Sequence, residues 1–390
     1  MPPQDLRAAL RRVLSDSVRQ YPKGSHRSTG EGTLPSCSSP SRMRVGIIAL
    51  TVTISAAATL VLPYRSVGAS GATYRVPLET WFRLSDSGGL PTIDVQLGND
   101  RPVRLLLDTA SVGIRVLHDD VAIGTKSSIV VGTTSDNVTF TDGVHLTGVV
   151  ARTSVKLGSV EIPNVPFQYV TSISCTTSGG CPAFTGSGPE QIDGIFGTSI
   201  SPPQRSDPLI NPLMELPSAY QGRWRINYGA SLQGASTGAL ILGAPIPNHA
   251  AAVIKLRPSG RQRATGLRYW NDLPYLCWSF SSSTRYCGPS RFDSGSDEMY
   301  VQSNPLPTIL GVTSTLLPTQ VRSGIEVSLF TPRPRSRSFW SYTTGDTPDF
   351  DSTEALVASP SFFDSGVQAF YDLNFIYNVA SGQIVVINSS

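Results

Sequence analysis

The chain has 390 residues, long enough for two domains that each bury a core. Charged residues are 15% of it, while Gly (35) and Pro (30) abound, which excludes coiled coil and long helices and favours short strands joined by turns. The formal charge of +3 belongs to the leader: residues 1–72 hold nine Lys/Arg and three Asp/Glu, and the remaining 22 basic and 25 acidic side chains exclude a nucleic-acid partner.

Residues 1–42 are polar, Arg-rich and punctuated by Ser, Pro and Gly, a composition that predicts a disordered extension. Residues 45–62 are apolar with a few small polar residues, preceded by Arg42 and Arg44 and followed by Gly68, Ala69, Gly71 and Ala72. Residues 43–72 therefore read as a signal peptide, with Met43 as the start of translation, or as an uncleaved signal anchor, since a stretch of this length can just span a bilayer. Either way the body is exported, and membrane anchoring rests on residues 45–62.

From residue 74 the pattern is β. Residues 74–79 and 91–97 alternate apolar and polar side chains, and Asn99-Asp100 marks a turn before an apolar run at 103–107. Asp142-Gly143 between alternating runs predicts a hairpin over 137–150. Strands follow at 155–158 and 162–170. Residues 207–216 are the best helix candidate, stopped by Pro217. A hairpin is expected from 224–228 and 238–243, then strands at 253–256, 267–270 and 276–280. Residues 304–353 are rich in Pro, Ser and Thr, with Arg333, Arg335 and Arg337, and offer no clear element; closing strands are expected at 356–363, 369–373 and 382–388.

Of five cysteines, Cys37 lies upstream of the apolar segment. The other four form two local pairs after an export signal, which predicts the disulfides Cys175–Cys181 and Cys277–Cys287. The four histidines are scattered and no Cys/His cluster has ligand spacing, so no metal and no cofactor is expected.

One short pattern occurs twice. An apolar run over 103–107 stops at Asp108-Thr109-Ala110-Ser111, and an aromatic lead-in at Phe292 stops at Asp293-Ser294-Gly295-Ser296. This resembles the pepsin-like aspartic proteases, in a bacterial, actinobacterial-type form, which carry Asp-Thr/Ser-Gly-Ser/Thr once per lobe. The second copy fits fully; the first has Ala110 in place of Gly. Residues 192–197 resemble the apolar-apolar-Gly segment that threads beside the catalytic loop, with Asp193 structural, and Ala358 stands where its second copy is expected. The 137–150 hairpin resembles the family's flap, with Phe140 where the family has Tyr.

The resemblance implies an all-β, bilobal fold, with the cleft between two six-stranded-barrel-like lobes, here 73–222 and 223–390. It implies Asp108 and Asp293 as catalytic residues. Ser111 and Ser296 would hold the outer carboxylate oxygens, and Thr109 and Ser294 would cross the interface to backbone groups. The partner is a protein or peptide substrate, and the chain is expected to be a monomer.

Two like carboxylates near contact cannot both ionise easily, so such a pair shares one proton. One member then takes a proton from a water that attacks the peptide carbonyl, while the other protonates the carbonyl oxygen. The rival reading is a pepsin-fold binding or cell-envelope protein without activity, favoured by Ala110, Phe140 and Ala358. Two motifs are set aside. Asp364-Ser365-Gly366 lacks a following hydroxyl and reads as a turn. Gly234–Gly238 fits a nucleophile-elbow pattern around Ser236, but a strand follows where a helix is needed.

Overall fold

Residues of alternating polarity form strands almost throughout the body. A computed structural model describes residues 71–389 except 83–88, 122–127, 141–142, 176–190, 204–207, 230–237, 262–265, 314, 316–318 and 346–351. The leader, the apolar segment 45–62, Cys181 and Ser236 lie outside the described residues.

The N-terminal lobe is an eight-stranded sheet. Its order is Glu79–Phe82, Gly89–Leu97, Pro102–Asp108, Gly194–Thr198, Val112–Leu117, Val160–Cys175, Val144–Leu157 and Val130–Thr139. The C-terminal lobe is a second eight-stranded sheet. Its order is Thr319–Gln320, Ser352–Val357, Glu298–Ser303, Phe362–Asp364, Tyr286–Arg291, Tyr275–Phe280, Glu326–Phe330 and Ser338–Thr343. A six-stranded sheet takes strands from both ends of the body: Tyr74–Pro77, Ala239–Leu242, Arg223–Asn227, Leu373–Asn378, Gln383–Asn388 and Ala252–Lys255. The fold is thus nearly all β with bilobal sheets.

The same insertion occurs once per lobe and positions the two aspartates. In the first lobe Gly194–Thr198 lies parallel to Pro102–Asp108, with Asp108 opposite Gly197, and antiparallel to Val112–Leu117, with Gly113 opposite Gly197. In the second, Phe362–Asp364 lies parallel to Tyr286–Arg291 and antiparallel to Glu298–Ser303. The sequence supports this by supplying apolar residues on the inward face. Leu105, Leu107, Phe196, Phe363 and Val301 are fully buried in one continuous core. Glycine is needed where strands crowd: a Cβ at Gly197 would lie 2.7 Å from the carbonyl oxygens of Ser111 and Gly113.

Four expectations change. The segment expected as a helix over 207–216 is a short 3-10 turn, Pro212–Glu215, begun by Asn211, whose side chain accepts from the Leu213 amide at 2.9 Å. Pro208 and Pro212 remove two of the amides a longer helix needs. Residues 304–353, left unassigned, supply the strands Thr319–Gln320, Glu326–Phe330 and Ser338–Thr343. Part of the expected 369–373 strand is a helical turn, Gln368–Asp372, and the strand starts at Leu373. Ala358 does not stand at the second apolar-apolar-Gly position. Continuing the parallel register of Ser290 with Phe363 and Arg291 with Asp364 brings Gly366 opposite Asp293, as Gly197 lies opposite Asp108.

Cys277 and Cys287 are cross-strand partners and form a disulfide. Cys175 is also disulfide-bonded. Among the described residues no helix is long and apolar enough to cross a membrane.

Candidate active site

Asp108 ends its strand and is 7% exposed; its Oδ1 accepts from the amides of Ala110 (2.7 Å) and Ser111 (3.1 Å). Asp293 is half-buried, and its Oδ1 accepts from the Gly295 amide at 2.9 Å. Both carboxylates therefore close a turn on their own loop through one oxygen.

The two loops lock into each other. Thr109 Oγ1 donates to the Phe292 carbonyl (2.7 Å) and accepts from the Ser294 amide (2.9 Å). Reciprocally, Ser294 Oγ donates to the Leu107 carbonyl (2.6 Å) and accepts from the Thr109 amide (3.1 Å). Thr109 is 4% exposed and Ser294 is fully buried, so these four bonds are shielded from water. They bring the loops so close that a Cβ on Gly295 would lie 2.7 Å from Asp108 Cγ. Ala110 is not among the residues with positive φ, so its methyl group imposes no backbone strain.

The remaining expected site residues take other roles. Ser296 Oγ donates to the Glu298 carbonyl (3.0 Å) and accepts from the Glu298 amide (3.3 Å), serving its own loop rather than a carboxylate. Ser111 Oγ is buried with no hydrogen-bond partner. Phe140 opens the turn of the Val130–Thr139 and Val144–Leu157 hairpin, closed by bonds from its amide to the Val144 carbonyl and from the Gly143 amide to its carbonyl. Its ring lies 5.8 Å from the guanidinium carbon of Arg115, which is 2% exposed. Thr141 and Asp142 lie outside the described residues. Asp193 accepts from the Arg104 amide at 2.8 Å and braces strands.

Three residues near the aspartates were not singled out from sequence as part of the site. Asp364 ends the strand beside Tyr286–Arg291 and is 7% exposed. Arg291 neighbours it in register. Tyr377 is buried, hydrogen-bonded to the Thr109 side chain and stacked on Trp224 with centroids 5.6 Å apart. The signal for Asp364 was its Phe-Phe lead-in, the same apolar approach that precedes Asp108.

Withdrawal from water raises the Asp293 carboxyl well above its usual range; Asp364 and then Asp108 raise it further, while Arg291 and the Gly295 amide oppose. Burial pushes Asp364 up to about 6, against Arg291 and the Gly366 amide. Burial also raises Tyr377, so its hydroxyl stays neutral and acts as a hydrogen-bond group. An arrangement of this kind holds a proton between carboxylates at mildly acidic pH and so offers an acid and a base together. Among the described residues no group of His, Cys, Asp and Glu is placed to hold a metal.

No protein-family model matches the chain, and no curated protein matches it. Among solved structures, it is similar to an aspartic proteinase from Irpex lacteus, at 14% identity and a TM-score of 0.55. The match covers 82% of this chain and 98% of the proteinase. At that identity the likeness concerns the fold, and the chain has the bilobal fold of the pepsin-like aspartic proteinases.

Proposed function

We propose that the chain is an exported aspartic endopeptidase in which Asp108 and Asp293 share a proton and activate a water molecule. The observation that carries this reading is the reciprocal lock of Thr109 and Ser294, which joins two carboxylate-bearing loops by direct hydrogen bonds. The raised pKa of Asp293 supports the shared proton. In this reading the ionised member takes a proton from water as it attacks the peptide carbonyl. The protonated member donates to the carbonyl oxygen, and the proton then passes to the leaving amine. Thr109 and Ser294 hold the loops. Phe140 covers the cleft as part of a flap. Export rests on residues 43–72, with residues 45–62 as cleaved signal or anchor; the bacterial, actinobacterial type and the monomeric state rest on the sequence resemblance alone.

A second reading is favoured by the serines. Neither Ser111 nor Ser296 donates to a carboxylate, so the outer oxygens lack the support expected of a catalytic pair. That reading is a pepsin-fold binding or cell-envelope protein. Cleavage of denatured casein between about pH 3 and 7, the range of a proton-sharing pair, separates the two. The endopeptidase reading expects cleavage lost in Asp108→Ala and in Asp293→Ala. A folded wild type inactive throughout that range leaves the binding protein.

A further inference from the structure

The lobes repeat each other at a fixed offset. Thr109 and Ser294, bonded to one another, are 185 positions apart, and Asp108 and Asp293 share that offset. The same offset takes Leu106 to Arg291 and Arg115 to Tyr300. In the first lobe Leu106 and Arg115 are the strand neighbours of Ile195. In the second lobe Arg291 and Tyr300 are the strand neighbours of Asp364. Asp364 thus occupies the place of Ile195, a carboxylate where the other lobe has an aliphatic side chain.

The face it occupies is the one that leads to Asp293. Paired residues across neighbouring strands share a side of a sheet. The other side, with Ser290, Phe363 and Val301, is fully buried in the core. Arg291 and Tyr300 are half-buried, and Phe362 joins them, its ring 5.5 Å from the Arg291 guanidinium carbon and 6.4 Å from the Tyr300 ring. Asp293 follows Arg291 by two positions. The wall beside Asp293 therefore carries Arg291, Asp364 and Tyr300, where the wall beside Asp108 carries Leu106, Ile195 and Arg115.

We propose that Asp364 is a third carboxylate of the active site, a positioning residue that keeps the shared proton on the Asp108/Asp293 pair and carries activity toward neutral pH. This rests on the reading of that pair as the catalytic dyad. The groups facing Asp293 are Asp108 from the opposite loop, Arg291 from its own lead-in, Asp364 from the inserted strand and Tyr377 from the six-stranded sheet. Asp297 and Glu298 follow on its own loop, and Tyr300 flanks Asp364. Of the two carboxylates that raise Asp293, Asp364 has the larger effect. Burial pushes Asp364 up to about 6, so on the alkaline side of the mildly acidic range its negative charge stands beside the dyad. A negative charge there opposes that loss and moves the alkaline limb of activity upward. Arg291 acts in the opposite sense.

The test is the pH profile of kcat/KM for the full chain on denatured casein, in wild type, Asp364→Asn, Asp364→Ile and Arg291→Gln. Asn keeps the shape without the charge, and Ile is the residue of the other lobe. The expected result is an alkaline limb displaced by about one pH unit to lower pH in both Asp364 variants, with about a tenfold loss on that limb and little change at pH near 4. Arg291→Gln is expected to displace it upward. An active wild type whose limb stays in place in folded Asp364 variants overturns this inference alone. A wild type inactive at every pH overturns the dyad reading and this inference with it. Should Asp364→Asn and Asp364→Ile both fail to fold, Asp364→Ser, small and uncharged, decides: a downward displacement supports the third carboxylate, and an unmoved limb overturns it.

Discussion

The tightest contact in the candidate site is made by a residue with no side chain. Gly295 has no positive φ to satisfy; it is required because a Cβ would strike Asp108 Cγ at 2.7 Å. Gly295→Ala is therefore expected to push the loops apart, with an activity loss of tenfold or more and a stability loss of about 1–3 kcal/mol, measured by casein cleavage and urea unfolding. The hydroxyl lock gives a second expectation at this scale. Thr109→Val keeps the shape but leaves the buried Ser294 amide and Phe292 carbonyl without partners, at a cost of about 1–3 kcal/mol for each group. Urea unfolding of Thr109→Val beside Thr109→Ser checks it, since Ser restores both bonds and most of the stability. Asp108 and Asp293 stand out in the sequence because each ends an apolar or aromatic run with the same small hydroxyl residues. Asp364 does not, although its lead-in is similar. Its role depends on which strand it lies beside, and a register between residues far apart leaves no local trace. Ser296 was misread for the complementary reason: a short hydroxyl bonds the nearest backbone group, here Glu298, before a more distant carboxylate.

At the scale of elements, the strands were legible wherever polarity alternated and were lost where composition masked it. The run from 304 to 353 hides three strands because Pro, Ser and Thr break the pattern, while Val327, Leu329, Phe339 and Trp340 still supply the buried face. The 207–216 segment misled because apolar residues between prolines satisfy a helical count, yet Asn211 diverts the backbone by bonding both the Leu213 amide and the Thr198 carbonyl. The hairpin that carries Phe140 was recognised from Asp142-Gly143, but not the buried Arg115 beneath it. A guanidinium that faces an aromatic ring in a dry setting steadies that ring. Phe140→Ala is expected to loosen the turn of the proposed flap by about 1 kcal/mol and to raise KM roughly fivefold with kcat much less affected. An unchanged KM would remove Phe140 from the proposed cleft. The Cys277–Cys287 bridge was legible from local spacing together with the export signal. It joins adjacent strands of the C-terminal lobe, and Cys277→Ala/Cys287→Ala should lower stability by about 3 kcal/mol at most, read by urea unfolding.

For the molecule as a whole, burial of acids sets how stability depends on pH. Asp293 and Asp364 sit beside the lobe interface with raised pKa values, and Asp94, Asp120 and Glu215 are shifted in the same direction by burial first. A carboxyl raised in the folded state keeps its proton where the unfolded chain has lost it. Unfolding then releases protons, and stability falls as pH rises from the unfolded value toward the folded one. For Asp364 that window runs from about 4, its unfolded value, to about 6. The shift of about two units corresponds to roughly 3 kcal/mol lost across it. Asp293, raised in the same direction, adds to the fall, while Asp94, Asp120 and Glu215 add less because water screens them. The protein is therefore expected to be most stable in mild acid and to weaken toward neutrality, opposite to a protein held by salt-bridged carboxylates. Asp364→Asn carries the test. Asn stands in for the protonated form at every pH, so the stability difference between pH 4 and pH 7 should shrink by up to roughly 3 kcal/mol in urea unfolding. Equal differences in wild type and variant would mean that Asp364 is ionised in the folded protein at pH 4, with Arg291 outweighing burial. The same charge that keeps a proton on the proposed dyad is then the charge that limits the fold toward neutral pH, and one substitution should relax the second while curtailing the first.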